Sequence, residues 1–295
     1  MLPYLAIVLL IVLVANYFIE QKIILGSAIS GAYKINRLMH QTNDTEIPFF
    51  GSSRAEFTYI PDSLVQNGFN YGMRGTQDDV IIFGLKEECK KNKKTPIVIT
   101  FDLDGLNHSL GDISNYIYNA HEASVKLLLG SSYKKIYEVP FLKYYGHFEM
   151  YFKYYFNDKN NITKFTNKGA TIEKDILTPN AFQLFVNERK QKETIFRNDP
   201  QLQIQLNTII SQNKNRLFIF IIAPYHSSFF TKYKNYEDAE HYLHYLDIKP
   251  NVKVFNFAKL KLDDSHFFNT SHLSLKGALE FNRILKDSLV KLKVL

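Results

Sequence analysis

The chain reads as an α/β protein built on a parallel sheet, and three observations predict this. Short apolar runs recur at 47–50, 69–71, 96–101, 216–222 and 252–255. The longest of them, Arg216-Leu217-Phe218-Ile219-Phe220-Ile221-Ile222, is apolar nearly throughout, as a strand covered on both faces must be. Stretches with the 3.6-residue spacing of helices separate several of these runs, which favours parallel pairing over hairpins.

In chain order, Leu2 to Phe18 comes first. It carries no charge and is apolar except for Tyr4, Asn16 and Tyr17. As a helix it covers roughly 26 Å, about the depth of a bilayer core. Tyr4 and Tyr17 sit near its ends, where amphipathic rings favour the interface. An uncleaved single-pass anchor over 1–22 is the expectation; a cleaved signal peptide and a buried helix of the fold are the alternatives. A signal peptide is disfavoured because no Lys or Arg opens the chain and the small-residue stretch Gly26-Ser27-Ala28 lies beyond Glu20 and Lys22. A connector over 23–46 follows, with a helix continuing to about Met39 and a polar loop at 41–45. Lys22, Lys34 and Arg37 follow the apolar segment, a bias that by itself places the rest of the chain in the cytoplasm.

The main domain is expected over 47–295. Asp78 to Lys91 has Val80, Ile81, Ile82, Leu85 and Cys89 at helical spacing. Leu273 to Leu292 closes the chain as an amphipathic helix with Ala278, Phe281, Leu285, Leu289 and Leu292 inward. More than 100 residues separate the third strand from the fourth, too many for one crossover. Residues 106–200 therefore read as an aromatic-rich, mostly helical insertion, densest at 134–156.

Composition narrows the chemistry. The 295 residues include 36 Lys+Arg and 29 Asp+Glu, a net charge of +7. Apolar residues make up 45% and charged residues 22%, which excludes a disordered chain. A single cysteine, Cys89, excludes an internal disulfide framework and a Cys-rich zinc site. No basic repeat, nucleic-acid motif, HExxH, P-loop or dinucleotide glycine pattern is present, so neither metal, cofactor nor nucleic acid is expected.

Two stretches carry candidate chemistry. Gly51-Ser52-Ser53-Arg54 directly follows an apolar strand, so its side chains emerge at the sheet's carboxyl edge, where open α/β sheets bind ligands. A serine at a helix start sits beside free N–H groups, or else simply caps the helix. The second stretch is 263–278, DDSHFFNTSHLSLKGA, just before the final helix. A histidine there can face Ser53 from the same edge, giving a nucleophile and its base.

In these motifs the chain resembles the SGNH/GDSL hydrolase superfamily, over about 47–110 and 215–292. Gly51-Ser52-Ser53 is similar to the first block, which implies Ser53 as nucleophile. Asn70-Tyr71-Gly72-Met73-Arg74-Gly75 resembles the second, and the resemblance implies that Gly72 lends its N–H to the oxyanion hole. Gly105-Leu106-Asn107 is similar to the third, implying Asn107 as a further donor, although His108 stands where the fuller motif has Asp. His272-Leu273-Ser274-Leu275-Lys276-Gly277-Ala278 resembles the last, implying His272 as general base. The family's Asp three residues before that histidine is Asn269 here, which orients the ring without a carboxylate's charge. Asp263 or Asp264 is the alternative carboxylate, and Asp263-x-x-His266 the alternative pair.

The resemblance implies a flavodoxin-like three-layer αβα sandwich, no cofactor, and acyl-ester chemistry with Ser53, Gly72 and Asn107 around the oxyanion. It also implies a membrane-anchored, extracytoplasmic esterase or O-acyltransferase acting on a cell-surface glycan or related ester, with a membrane acyl donor as a further partner. Arg54, Arg74, Tyr225 and His226 are the expected substrate-binding residues. The rival expectation is a weak or inactive binding or assembly protein of the same fold in envelope polysaccharide synthesis.

Overall fold

A computed structural model of the chain describes residues 2–28, 30–148, 168–171 and 177–293. The chain divides into two units, residues 1–41 with 112–167, and residues 42–111 with 168–295.

The first unit opens with a helix over Leu2–Phe18, whose side chains are mostly exposed apolar groups. The helical segment Pro3–Ile24 is long and apolar enough to cross a membrane. The expected continuous helix to Met39 is interrupted. A π-helical turn, Ile19–Ile24, follows, and two residues beyond it a Cβ on Gly26 would lie 2.3 Å from the Lys22 carbonyl. The helix restarts at Gly31–His40 and packs on Ser114–Ile117. Ala123–Leu129 is the next helix, followed by 3-10 turns rather than the expected helix at 135–138 and 142–144. The aromatic stretch expected over 134–156 lies in part, at 149–156, outside the described residues.

The second unit holds a five-stranded, all-parallel sheet in the order β2-β1-β3-β4-β5. Its strands are β1 Ile47–Phe50, β2 Gly68–Asn70, β3 Ile97–Thr100, β4 Phe218–Ile222 and β5 Val252–Asn256. Each falls within a residue or two of its apolar run. Every residue of β4 is buried, as its continuous apolarity demands, whereas the edge strand β5 is only partly covered. From β1 the sheet grows one way to β2 and the other way to β3, so a crevice opens beyond the carboxyl ends of β1 and β3.

The helix Asp78–Cys89 packs against Pro200–Gln212, and the last helix, Leu275–Lys291, packs on Ser53–Thr58 and Pro61–Leu64. Tyr236–Asp247 lies along β5. The insertion expected as one piece over 106–200 is shared between the units, because 112–167 groups with the amino-terminal residues and 168–200 with the sheet.

Candidate functional site

The site begins where β1 ends. A Cβ on Gly51 would meet Ala55 Cβ at 2.6 Å and Thr100 Cβ at 2.8 Å, so the strand can turn this tightly into a helix only at glycine. Ser52 then caps the helix Ser53–Thr58, its Oγ accepting the Arg54 N–H at 3.2 Å while donating to Asp102 Oδ2 at 2.6 Å. Ser53, the first helical residue, projects into the crevice, and its N–H is among the first-turn donors that no helical carbonyl can reach.

His272 meets it from 219 residues away. Ser53 Oγ and His272 Nε2 are 2.8 Å apart. On the other side of the ring, Nδ1 lies 3.0 Å from Asn269 Oδ1. An amide oxygen only accepts, so the neutral ring carries its proton on Nδ1 and presents Nε2 as acceptor to the serine. The same Oδ1 accepts the N–H groups of Ser271 at 2.9 Å and His272 at 3.0 Å, which folds the loop tightly around the ring. Burial pushes the His272 pKa down to about 4, and the guanidinium charges of Arg54 and Arg74 push the same way. The imidazole is therefore neutral, and competent as a base, across the whole neutral range. The Phe57 ring meets it edge-on at 5.2 Å between centroids.

Arg54, an expected substrate-binding residue, borders the crevice but is held by partners within the protein. Only 5% exposed, it donates to the carbonyls of Ser271 at 2.5 Å, Ala223 at 2.7 Å and Pro224 at 3.3 Å. Its Nε pairs with Asp102 Oδ1 at 3.0 Å, and the Tyr225 ring lies 3.4 Å beneath the guanidinium. Arg54 thus ties the nucleophile's helix to the loop after β4 and to the residue preceding His272. Tyr225 and His226 are likewise buried, Tyr225 at the wall of a neighbouring cavity that Arg54 also lines. The Tyr225 hydroxyl accepts the Leu103 N–H at 3.0 Å. His226 holds Ser228 Oγ at 2.8 Å and Asp264 at 3.2 Å. Among the expected substrate-binding residues only Arg74 leaves its side chain half exposed, stacked 4.9 Å over Phe57.

The expected oxyanion donors are also rearranged. Gly72 is buried, and its N–H donates to Asn70 Oδ1 at 2.8 Å. Its missing side chain answers a packing demand, because a Cβ there would approach Glu56 N to 2.6 Å. Asn107 does line the crevice, but its amide donates to the carbonyls of Asp104 and Gly105. Gly75, not among the expected donors, stands in the lining, with φ +72° and open space around it. Among the described residues its N–H has no acceptor. The available signal was a second glycine in the same block, three residues before a helix.

Among the described residues Ser53 meets His272 and has no hydrogen bond to His266, and Asp264 faces His226 rather than His272.

A cavity of about 270 Å³ opens over Ser53 and His272, lined also by Gly75, Asp78, Asp104 and Asn107. Burial raises the Asp78 carboxyl to about 7 and the Asp104 carboxyl to about 6, with neighbouring Asp102 adding to both. Among the described residues no three His, Cys, Asp or Glu side chains gather as a metal site. The arrangement sets a serine hydroxyl against a neutral imidazole at the wall of a cavity.

No family model matches the chain, and no curated protein matches it. Among solved structures, a Streptococcus pneumonia chain provisionally described as a platelet activating factor aligns with a TM-score of 0.45 and 12% identity. That alignment covers 94% of this chain and 98% of the other.

Proposed function

We propose that this protein is a membrane-anchored serine acyl esterase or O-acyltransferase of SGNH type. The 2.8 Å contact between Ser53 Oγ and His272 Nε2 carries the reading. In the first step Ser53 Oγ bonds to the ester carbonyl carbon as its proton passes to Nε2. The carbonyl oxygen takes the negative charge, facing the N–H groups of Ser53 and Gly75. The tetrahedral species then expels the alkoxide, which leaves with the proton from His272. Water or a sugar hydroxyl resolves the acyl-enzyme by the reverse order of steps, giving hydrolysis or transfer.

The strand order β2-β1-β3-β4-β5 supports the flavodoxin-like, three-layer arrangement in which such sites lie at the switch point. The substrate we assign is an acylated cell-surface glycan or related ester. This places the catalytic unit outside the membrane on a single amino-terminal span, with a membrane-borne acyl donor as partner if the reaction is transfer. The basic residues after the span oppose that orientation, but a long domain can translocate despite them.

A fluorophosphonate probe tests the chemistry. Labelling of the full chain that disappears in Ser53→Ala is the expected result. A folded protein that resists the probe would leave the rival reading, a non-catalytic binding or assembly protein. Asn269 in place of a carboxylate and the engaged amide of Asn107 are the observations that favour that rival.

A further inference from the structure

We propose that residues 135–145 of the first unit form a platform that rests in the lipid headgroup layer beside the amino-terminal helix. The inference rests on the reading of that helix as membrane-spanning, and it concerns a different surface from the catalytic crevice.

Three contacts fix the height of this segment along the helix. The Phe141 N–H donates to Asn16 Oδ1 at 2.7 Å. The Tyr144 hydroxyl donates to Glu20 Oε1 at 2.9 Å, and Lys143 pairs with the same carboxylate. Asn16 and Glu20 are one helical turn apart, so the contacts span roughly 6 Å of the helix axis. At that level Tyr17 and Phe18 remain well exposed. Side chains of that kind at the end of a spanning helix belong in the interfacial layer. A segment bonded to Asn16 and Glu20 at the same height shares that layer.

The segment is built for it. Tyr137 and Tyr144 are its buried feet, while Ile136, Val139, Leu142 and Tyr145 point outward, Leu142 at 48% and Tyr145 at 78% exposure. The two 3-10 turns that carry them pack against each other and so present one surface. Single exposed apolar residues elsewhere on the chain need no partner, but four within ten residues, at the mouth of a membrane span, do. Exposed Lys134 and Lys135 adjoin the patch in sequence and would attract anionic headgroups, while the exposed carboxylate of Glu138 is paired with Lys126. The Lys143–Glu20 pair explains how the helix tolerates a carboxylate at this depth.

The absence of tryptophan makes the test direct, because any introduced indole is the only one. Val139→Trp, Leu142→Trp and Tyr145→Trp would each be placed in the full-length chain, in nanodiscs of phosphatidylcholine and phosphatidylglycerol. Leu9→Trp, in the span itself, serves as reference. Brominated acyl chains are expected to remove most of the indole emission at 139 and 142, because interfacial burial reaches roughly 5–10 Å into the headgroup and acyl boundary. Aqueous iodide is expected to quench both weakly. Strong iodide quenching with no response to brominated lipid overturns the proposal. Protection from both quenchers overturns it too, since a second protein surface then covers the patch. Quenching by bromine at Leu9 alone defeats the platform but keeps the span. No bromine quenching at any position defeats both.

Discussion

Burial and two nearby arginines, with no carboxylate at position 269 to oppose them, set the pH range over which the His272 ring is neutral. The Asn269 amide holds the ring but gives the imidazolium no opposing charge, and the histidine's pKa is pushed down to about 4. The acid limb of kcat/KM should therefore fall near pH 4 rather than near 6.5. Asn269→Asp places a carboxylate at hydrogen-bond distance from Nδ1, and that limb should move up by about 1–3 pH units, because a close opposite charge shifts a pKa by that much. An unmoved pH–rate profile would remove His272 from the chemistry. The two glycines of the second block separate in the same way. Gly75→Ala forces a side chain onto φ +72° in open space, which should cost about 1 kcal/mol of stability and, on the proposed mechanism, lower kcat by about 10²–10³. Gly72→Ala drives a methyl into Glu56 N and should lower the melting temperature far more. Ser53, His272 and Asn269 were legible because each lies in a short block at a fixed place relative to a strand or helix. Gly75 and the inward turn of Arg54 were not, because which N–H is already bonded depends on how a loop folds back on itself, and Arg54 is buried by carbonyls 169 and 217 residues away.

Elements meet through buried polar groups. Asn70, at the end of β2, donates to the Ala55 and Tyr59 carbonyls and so closes the carboxyl end of the nucleophile's short helix. Asn282 does the same from the last helix, accepting the Ile60 N–H at 3.0 Å and donating to the Thr58 carbonyl at 2.6 Å. At the opposite end of the sheet, Glu88 is fully buried against three cations, Lys91 at 2.9 Å, Arg216 at 3.1 Å and Lys93 at 3.2 Å. Arg216 also donates to the Glu88 and Thr95 carbonyls, so the start of β4 is tied to the end of the helix Asp78–Cys89. Glu88→Gln strips the charge that these cations share. It should cost about 3–5 kcal/mol in denaturant unfolding while leaving the activity per folded molecule unchanged, since the crevice lies at the other end of the strands. The strands themselves were readable, because sheets covered on both faces demand continuous apolar runs. The helix Pro200–Gln212 escaped notice because glutamines dilute its pattern. Its apolar side chains at Leu202, Leu206, Ile209 and Ile210 are buried at helical spacing, and Asp199 caps it through the N–H groups of Gln201 and Leu202.

On the scale of the whole chain, the sequence separated an apolar amino-terminal segment from an α/β domain but not the way the two units divide the insertion. That division depends on contacts between residues 1–41 and 112–167, which no local pattern announces. Global stability carries the imprint of the crevice as well. Asp78, with its carboxyl raised from 3.8 to about 7, binds its proton in the folded state over a range where the unfolded chain has released it. Folding therefore takes up a proton between those values, and stability falls as pH rises from 3.8 to 7 and levels off above. His272 acts in the opposite sense, since its depressed pKa makes the unfolded chain the better proton acceptor between 6.5 and about 4. Asp104, raised to about 6, sides with Asp78. Between pH 8 and pH 6 the Asp78 contribution alone changes by about one pKa unit, or about 1.4 kcal/mol. Asp78→Asn keeps an oxygen to accept the Asn107 N–H, so the loop it supports should survive. The variant should be more stable than the parent at pH 8, and the difference should shrink by about 1.4 kcal/mol on going to pH 6. Urea unfolding of both proteins at the two pH values measures that double difference, and a constant gap between them would mean that Asp78 is already ionised in the folded protein at pH 6.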